Sequence, residues 1–480
     1  MATTIGVPVR EPARARAAWW RWGAVLAPGT LLYWFPPAGL TAQQGHLLGI
    51  FVATIVALVA QPIPMGASVV VAMTLLALTK TLAPEKVLSG FSNVTVWMVF
   101  SAFLFSHAIA ATGLGRRIGY VVIERFARSP LSLGYSLAGA GLVLAPFIPS
   151  DTGRGGGVIF PIARSVASAF GSEPGPTARR IGSFLMLVSF HTTYPASAMF
   201  LTGMAANPLI ALFALKVAHV ELTWTGWIAG SIVPGLLTMA IVPWLLVRLV
   251  KPEIEDTAPA REMARRELAR MGPPTREEKW LAGIMIAVMG GWVTYPLHRI
   301  DVTFVALAGL CAILLARVLP WDDLLGEKKA WDALVWFAVL VMMAGSLNDL
   351  GVIHFFSARL FGVMAGWPWR LALVALVVSY CYVHYTFASM TAQVTALYPA
   401  FLGAAVAAGV PPLAAGLPLA YFSSLDAAMT HYGTGSAPVF FGAGYVRQTE
   451  WWRVGFAISV VNLAIWLGVG MAWWKAVGMW

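Results

Sequence analysis

The sequence predicts an all-α, polytopic membrane protein with about eleven transmembrane helices plus two re-entrant hairpins, built as an inverted repeat. Three observations predict this fold class. First, 59% of the 480 residues are apolar and only 11% are charged, whereas about a quarter of a soluble domain is charged. Second, most of the chain divides into apolar segments near the roughly 20 residues that cross a bilayer. Third, polar landmarks of the two halves recur at one spacing. A disordered chain, a nucleic-acid-binding module and a disulfide-rich secreted scaffold are therefore excluded.

Eleven apolar segments have the length and composition of candidate spans. They are Trp22–Phe35, His46–Ile63, Met65–Thr81, Val94–Gly113, Gly182–Leu215, Trp224–Val247, Trp280–Leu297, Val302–Leu319, Ala333–Leu347, Leu413–Gly442 and Val454–Trp474. Two further segments, Leu131–Ser168 and Trp369–Ala408, are too long for one crossing and carry a polar, small-residue centre. We predict a re-entrant hairpin in each, which membranes tolerate only where protein or water satisfies the broken backbone.

Basic side chains indicate the orientation. With the N-terminal arginines Arg10, Arg14, Arg16 and Arg21 in the cytoplasm, most of the 32 Lys and Arg residues fall in cytoplasmic loops, as the positive-inside rule requires. The orientation of the chain in the membrane therefore accounts for the formal charge of +11, and no nucleic acid partner is expected. We predict a multi-pass protein with a cytoplasmic N-terminus and a first span that is retained rather than cleaved as a signal peptide.

The chain divides into four predicted parts. Residues 1–41 form an N-terminal cytoplasmic arm and the first helix, residues 42–250 a first repeat with hairpin 131–168, residues 251–279 a cytoplasmic linker, and residues 280–480 a second repeat with hairpin 369–408. The linker is rich in proline and balanced in charge, so we interpret it as a solvated connection. Its middle, Ala260–Met271, is predicted to form a short helix with Glu/Arg pairs.

Three landmarks suggest that the two halves are copies. Trp97 and Trp336 open similar segments and lie 239 positions apart, as do Ser150 and Ser389, which each begin an S-x-T triplet. His191 and His431 are 240 positions apart. An odd number of crossings between the copies makes them inverted. Inverted repeats with paired broken segments are typical of secondary transporters, which bind substrate where the breaks meet.

The hairpin centres carry hydroxyl groups followed by helices. The first contains Ser150, Thr152 and Gly153, and the second contains Ser389 and Thr391. A helix N-terminus offers unpaired N–H groups and a positive dipole end, which suit an anion, and glycine lets a ligand approach the backbone. Two such ends that meet at the midplane would hold two carboxylates. The alternative is that these small residues only ease helix packing in lipid.

Three ionisable residues fall at membrane depth, where charge is costly and usually functional. Asp151 and Arg154 are three residues apart, so they can neutralise each other; alternatively, Arg154 attracts an anionic substrate while Asp151 binds a proton or cation. Asp426 either relays a proton or faces a helix interface. Asp151 and Asp426 are therefore the candidate coupling residues.

Two long spans contain polar segments that we interpret as helix breaks. The segments are His191–Ser197, with Pro195, and Thr430–Ser436, with two glycines, and both residue types interrupt helices. Together with His384, these histidines are candidates for lining a polar cavity; the alternative is that each is a satisfied core residue.

The paired S-x-T triplets and the Thr430–Gly435 run ahead of Phe441–Val446 resemble the divalent anion:sodium symporter superfamily (DASS). The resemblance extends from about Ala42 to the C-terminus. It is strongest to the exchanger branch, which includes 2-oxoglutarate/malate translocators and citrate or tartrate/succinate antiporters. It implies a homodimeric elevator transporter for di- and tricarboxylates in a cell membrane, here a bacterial inner membrane. The mobile domain would carry both hairpins and both broken helices.

The resemblance also implies site residues. The family's Ser-Asn-Thr motifs map onto Ser150 with Thr152 and Ser389 with Thr391, but this chain has Asp151 and Met390 at the Asn positions. Met390 offers no hard oxygen ligand, which argues against a second sodium site, and no cofactor or other metal is expected. Arg154 matches an arginine of the exchanger branch. The candidate substrate-binding residues are Ser150, Asp151, Thr152, Gly153, Arg154, Thr192, Thr193, His384, Ser389, Met390, Thr391, Gln393, His431, Thr434 and Ser436.

The favoured hypothesis is exchange of carboxylates without obligatory sodium. The alternative is a sodium- or proton-coupled dicarboxylate symporter in which Asp151 or Asp426 titrates. An integral-membrane enzyme is a third hypothesis, but the sequence shows no metal-ligand cluster, nucleotide-binding loop or Ser/His/Asp arrangement, so we predict that the chain is not an enzyme. The expected partners are small carboxylates, the lipid bilayer and a second copy of the chain.

Overall fold

The computed structural model describes residues 19–480. Arg10, Arg14 and Arg16, which we predict to be cytoplasmic, lie outside the described residues. Within this range every regular element is a helix. The first half contains α1 Trp19–Trp34, α2 Ala42–Ala60, α3 Met65–Leu78, α4 Pro84–Leu88, α5 Val94–Thr112, α6 Leu114–Phe126, α7 Pro130–Leu144, α8 Phe160–Ala169, α9 Gly182–Met199, α10 Ala206–Ala218 and α11 Trp224–Val250.

The remaining helices follow a short connection. They are α12 Ala258–Met271, α13 Arg276–Val293, α14 Tyr295–His298, α15 Val302–Leu315, α16 Trp321–Gly326, α17 Lys328–Asp349, α18 Val352–Val363, α19 Trp369–Val383, α20 Met390–Ala407, α21 Pro412–Leu425, α22 Ala437–Gly442, α23 Gln448–Ala464 and α24 Met471–Ala476. A π-helical segment, Ile465–Gly470, joins α23 to α24, so the last span is continuous.

Six helical segments in residues 19–480 are long and apolar enough to cross a membrane, and several shorter apolar helices accompany them. The six are Ala42–Ala60, Val94–Thr112, Trp224–Val250, Lys328–Asp349, Met390–Ala407 and Gln448–Ala476. The chain is therefore a multi-pass, all-helical membrane protein. The predicted number of about eleven crossings, and the return of each hairpin to its own side, stay predictions.

Helix boundaries recur between the two halves. The helix before the first hairpin centre, Pro130–Leu144, and the one before the second, Trp369–Val383, differ by 239 positions at both ends (130 to 369 and 144 to 383). For the next pair of helices, α9 and α21, the spacing between their first residues falls to 230 positions (182 to 412). The spacing falls because the loop between α8 and α9 is longer than the loop between α20 and α21. The pairing of His191 with His431 is therefore wrong: by helix position, the counterpart of His191 is Tyr421.

The predicted break at His191–Ser197 is also wrong. Helix α9 is completely buried and runs without interruption through Pro195 to Met199, because the missing N–H of a proline removes only one bond of a helix that its neighbours hold on all sides. The chain breaks just afterwards, over residues 200–205. There the Asn207 amide Nδ2 donates to the carbonyls of Ser197 (3.0 Å) and Phe200 (2.9 Å), and so satisfies the end of the helix. The predicted span Gly182–Leu215 is thus two helices, α9 and α10.

The linker folds onto the first half. Its predicted helix is present as α12, with Glu262 paired to Arg266 at 2.9 Å on the exposed face. The opposite face is not solvated as predicted, since Ala260 and Ala264 are fully buried. Just after this helix, the Arg117 guanidinium of α6 meets Glu278 of α13 at 2.9 Å in a buried pair.

Candidate functional site

The first hairpin centre is a short irregular segment between two helices. After α7 and a short turn the chain has no regular structure at Ile148–Ser150, and a helix restarts at Asp151 with π-helical turns over Thr152–Ile159. The Ser150 hydroxyl accepts the Gly153 N–H at 3.1 Å, which caps this restart. Gly155 lets the segment approach α9, because a Cβ there would lie only 2.9 Å from Thr193 Cγ2.

The second hairpin centre has the same plan. Helix α19 ends at Val383, a single 3₁₀ turn follows at His384–Thr386, and Ser389 is the N-cap of α20. The Ser389 hydroxyl accepts the Ala392 N–H at 3.3 Å. In both hairpins the serine of the S-x-T triplet therefore stabilises the start of the outgoing helix, and the threonine lies in its first turn.

Both hairpins contact the same broken segment, which follows Asp426 between α21 and α22. A methyl group added at Gly435 would collide with the Thr152 hydroxyl, so the first hairpin abuts the break there. His384 of the second hairpin lies against the same segment, with its Nε2 2.8 Å from the Gly433 carbonyl oxygen. Because Gly433 and Gly435 are two residues apart, the two hairpin centres meet at this break.

The predicted site residues separate into an accessible group and a buried group. Thr152 is exposed, and Ser150, Gly153, Ser389 and Thr391 are partly exposed. The buried members are Asp151, Arg154, Thr192, Thr193, His384, Met390, Gln393, Thr434 and Ser436. The hydroxyl groups of the hairpins are therefore open to a ligand, whereas the charged groups lie behind them.

Arg154 holds the first hairpin in place. Its fully buried guanidinium donates to the backbone carbonyls of Ile148 (2.8 Å), Thr193 (3.0 Å) and Gly203 (3.2 Å). It also pairs with the Asp151 carboxylate at 3.2 Å. Ser197 lies between the two charges, accepting from Arg154 and donating to Asp151. This arrangement supports mutual neutralisation of Asp151 and Arg154 rather than direct exposure of Arg154 to an anion.

The second hairpin places a histidine next to an aspartate that follows α21. The Gln393 amide donates to the Tyr380 carbonyl at 2.9 Å, which turns its oxygen toward His384 Nδ1. The other ring nitrogen faces the Gly433 carbonyl. The Asp426 carboxyl group lies 3.7 Å from Nδ1. His384 and Asp426 are therefore a buried pair of ionisable groups where the second hairpin meets the break.

Several polar atoms of the first hairpin, of Asp426 and of the broken segment that follows it are buried without a hydrogen-bond partner among residues 19–480. They are both carboxylate oxygens of Asp426, Oδ2 of Asp151, and the hydroxyls of Thr430 and Ser436. Buried polar groups are usually hydrogen-bonded. These atoms therefore have capacity for a ligand, a proton or water.

Other predicted residues lie outside this meeting point. The Thr192 and Thr193 hydroxyls donate to the carbonyls of Val188 and Ser189 within α9, each at 2.7 Å. His431 accepts the Trp452 indole N–H at 3.1 Å and packs on Phe441. His191 is fully buried and bonds to the Tyr194 hydroxyl at 2.6 Å, so the three histidines have different polar partners.

Ser197, Gly203 and Asn207 contribute to the site although the sequence analysis did not select them for it. Gly203 supplies a carbonyl to Arg154, and Asn207 satisfies the neighbouring helix end. The only signal in the sequence was an asparagine within an otherwise apolar segment, where an unpaired amide would be costly. Within residues 19–480, no three His, Cys, Asp or Glu side chains cluster as metal ligands.

Comparison with known proteins covers almost the whole chain. Dicarboxylate transporter 1, chloroplastic, of Arabidopsis thaliana is 42% identical over 461 residues, spanning 95% of this chain and 83% of that protein. The L-tartrate/succinate antiporter of Escherichia coli O6:K15:H31 (strain 536 / UPEC) is 32% identical over 480 residues, with 96% and 98% covered. The fold is similar to that of the Alcanivorax borkumensis YdaH transporter, with a TM-score of 0.56 and 14% identity over 97% of this chain and 99% of that one.

The family profile confirms the resemblance predicted from the hairpin motifs. Residues 16–480 match the profile described as "Sodium:sulfate symporter transmembrane region". A relative that is 42% identical over 95% of this chain supports the same assignment. The chain therefore belongs to the sodium:sulfate symporter family, within the DASS superfamily.

Proposed function

We propose that this protein transports di- and tricarboxylates by exchange, through an elevator movement of a domain that contains both hairpins. The single observation that carries the proposal is that both hairpin centres, each at the start of a helix, contact the break at Gly433–Gly435, with Thr152 exposed there and Thr391 partly exposed in the first turn of α20. Hydroxyls and helix N-termini bind carboxylates. The proposal agrees with the printed names of the relatives, a dicarboxylate transporter and a tartrate/succinate antiporter.

The buried charges favour exchange without sodium. Asp151 is paired with Arg154, so the first hairpin brings both its cation and its anion, and the carboxyl group near the second hairpin, Asp426, faces His384. Asp151 Oδ1 already accepts hydrogen bonds from Arg154 and Ser197. Met390 has a thioether at the position where a sodium ion would need an oxygen ligand. The residues present at the second triplet therefore do not fit a sodium site.

A proton-coupled symporter is the second candidate, and Asp426 is the observation that favours it. Neither of its oxygens has a hydrogen-bond donor within residues 19–480, which leaves both available to a proton. We propose further that the protein is a homodimer in a bacterial inner membrane, with its N-terminus in the cytoplasm, and that transport involves no catalytic step.

The test is counterflow in proteoliposomes. Vesicles loaded with succinate, malate or 2-oxoglutarate should take up labelled counter-substrate equally well with and without sodium. Replacing one hydroxyl, in Thr152→Val or Thr391→Val, removes a hydrogen bond to a charged group, which is worth about 1.5–3 kcal/mol or roughly a 10- to 150-fold rise in KM. Thr74→Val, on the exposed face of α3, is the matched control. Uptake into empty vesicles that depends on a sodium or proton gradient would exclude exchange.

A further inference from the structure

A basic pocket with none of the hairpin residues in its lining lies at the ends of two membrane-spanning helices. Its volume is about 270 Å³, and it lies between the end of α11 and the beginning of α23. Three arginines line it from separate parts of the chain: Arg179 from the 3₁₀ turn before α9, Arg447 just before α23, and Arg453 on α23. Because α11 ends and α23 starts here, the pocket lies at the level of the lipid headgroups.

The charge of the pocket is mostly uncompensated. Glu450 is its one carboxylate, 3.7 Å from Arg179. Within residues 19–480, neither Arg447 nor Arg453 forms a salt bridge, so the three arginines and one glutamate give a local charge of about +2. The first turn of α23 adds N–H groups that no side chain caps. The three arginines therefore converge on one cavity.

The wall of the pocket is apolar on its other side. Leu249, Val454 and Ala457 form it, and Leu249 exposes 47% of its surface. A free anion gains nothing from such a wall, whereas a phospholipid uses both parts, with its phosphate among the arginines and an acyl chain along the apolar side. Basic pockets between helices at the cytoplasmic face bind anionic headgroups in this way.

We propose that this pocket binds the phosphodiester headgroup of an anionic phospholipid, a site separate from transport of carboxylates. The arginines supply bidentate donors for the phosphate. The lipid would connect the 3₁₀ turn before α9 to the start of α23, two segments otherwise joined here by one partly exposed ion pair.

Native mass spectrometry of the purified full-length protein tests the proposal. After delipidation, the protein is titrated with phosphatidylglycerol or phosphatidylcholine in matched micelles. The wild-type protein should prefer phosphatidylglycerol at least tenfold. The double variant Arg447→Gln/Arg453→Gln should bind it roughly 10- to 30-fold more weakly. The control Arg265→Gln/Arg266→Gln removes the same charge from the exposed face of α12 and should bind like wild type.

Glu450→Gln provides a second, opposite test, because it raises the pocket charge and should tighten phosphatidylglycerol binding. Lipid-free melting temperature and counterflow activity of the pocket variants should equal those of wild type, which shows that they fold. Equal binding of both lipids, an equal loss in the control variant, or full competition by inorganic phosphate at the lipid's concentration would each overturn the proposal. The last of these outcomes would identify a simple anion site.

Discussion

The two hairpins have the same hydroxyl-bearing plan but hold their charges differently. In the first, cation and anion lie three residues apart, and Arg154 also binds backbone carbonyls of three separate segments. In the second, His384 lies in the hairpin, and the Asp426 carboxyl group that faces it lies beyond the next helix. The first hairpin is therefore fastened to α9 by its own arginine, while the second is fastened to the break that both hairpins share. The two hairpins therefore share the serine that caps the outgoing helix but differ in the buried contacts that hold them.

The largest expected effect is that of Arg154→Gln. It leaves Asp151 buried without a cation and removes donors from several carbonyls, so we expect a loss of about 3–5 kcal/mol in the free energy of unfolding. The loss of stability is measured by thermal unfolding in detergent and by the monodisperse fraction in size-exclusion chromatography. Asp151→Asn combined with Arg154→Gln should recover part of the loss. Arg248→Gln, whose exposed guanidinium stacks on Trp244, is the control. Wild-type stability in Arg154→Gln would show that the first hairpin does not depend on this pair.

His384→Phe should cost less, about 2–3 kcal/mol, because it removes the two hydrogen-bonding contacts of one ring rather than the larger set made by Arg154. The same melting measurement applies. A double-mutant cycle with Asp426→Asn isolates the coupling between the two side chains, which we expect to be measurable because they lie 3.7 Å apart in a buried site. An additive cycle would mean that His384 and Asp426 do not interact. A loss equal to that of Arg154→Gln would remove the contrast between the hairpins.

The smallest effect concerns the place where the hairpins meet. Gly435→Ala adds a methyl group against the Thr152 hydroxyl. Overpacking of this kind costs about 1–3 kcal/mol, which corresponds to about a 5- to 150-fold loss of exchange rate when the strain falls on the transport step. Initial rates of counterflow measure it. Gly442→Ala is the matched control, since nothing lies within 4 Å of a Cβ at that position. Exchange at the wild-type rate in Gly435→Ala would argue that the contact is not part of the transport site.

Much of the fold and the family follows from the sequence, because both depend on regular patterns. Apolar length defines the helices, and the 239-residue spacing of the S-x-T triplets matches the spacing of α7 and α19. The break after α9 was misplaced, because a proline interrupts a helix only when its neighbours allow it, and here Asn207 decides where the helix ends. The partners of Arg154 are backbone carbonyls, and no side-chain pattern encodes which carbonyls a fold brings together.

One carboxylate in the connection between the halves has two partners. One oxygen of Glu278 accepts the Thr275 N–H at 2.8 Å as part of a capping box, and the other meets Arg117 of α6. The start of α13 therefore completes α6: a chain that ends before Glu278 keeps the Arg117 guanidinium without its counter-charge.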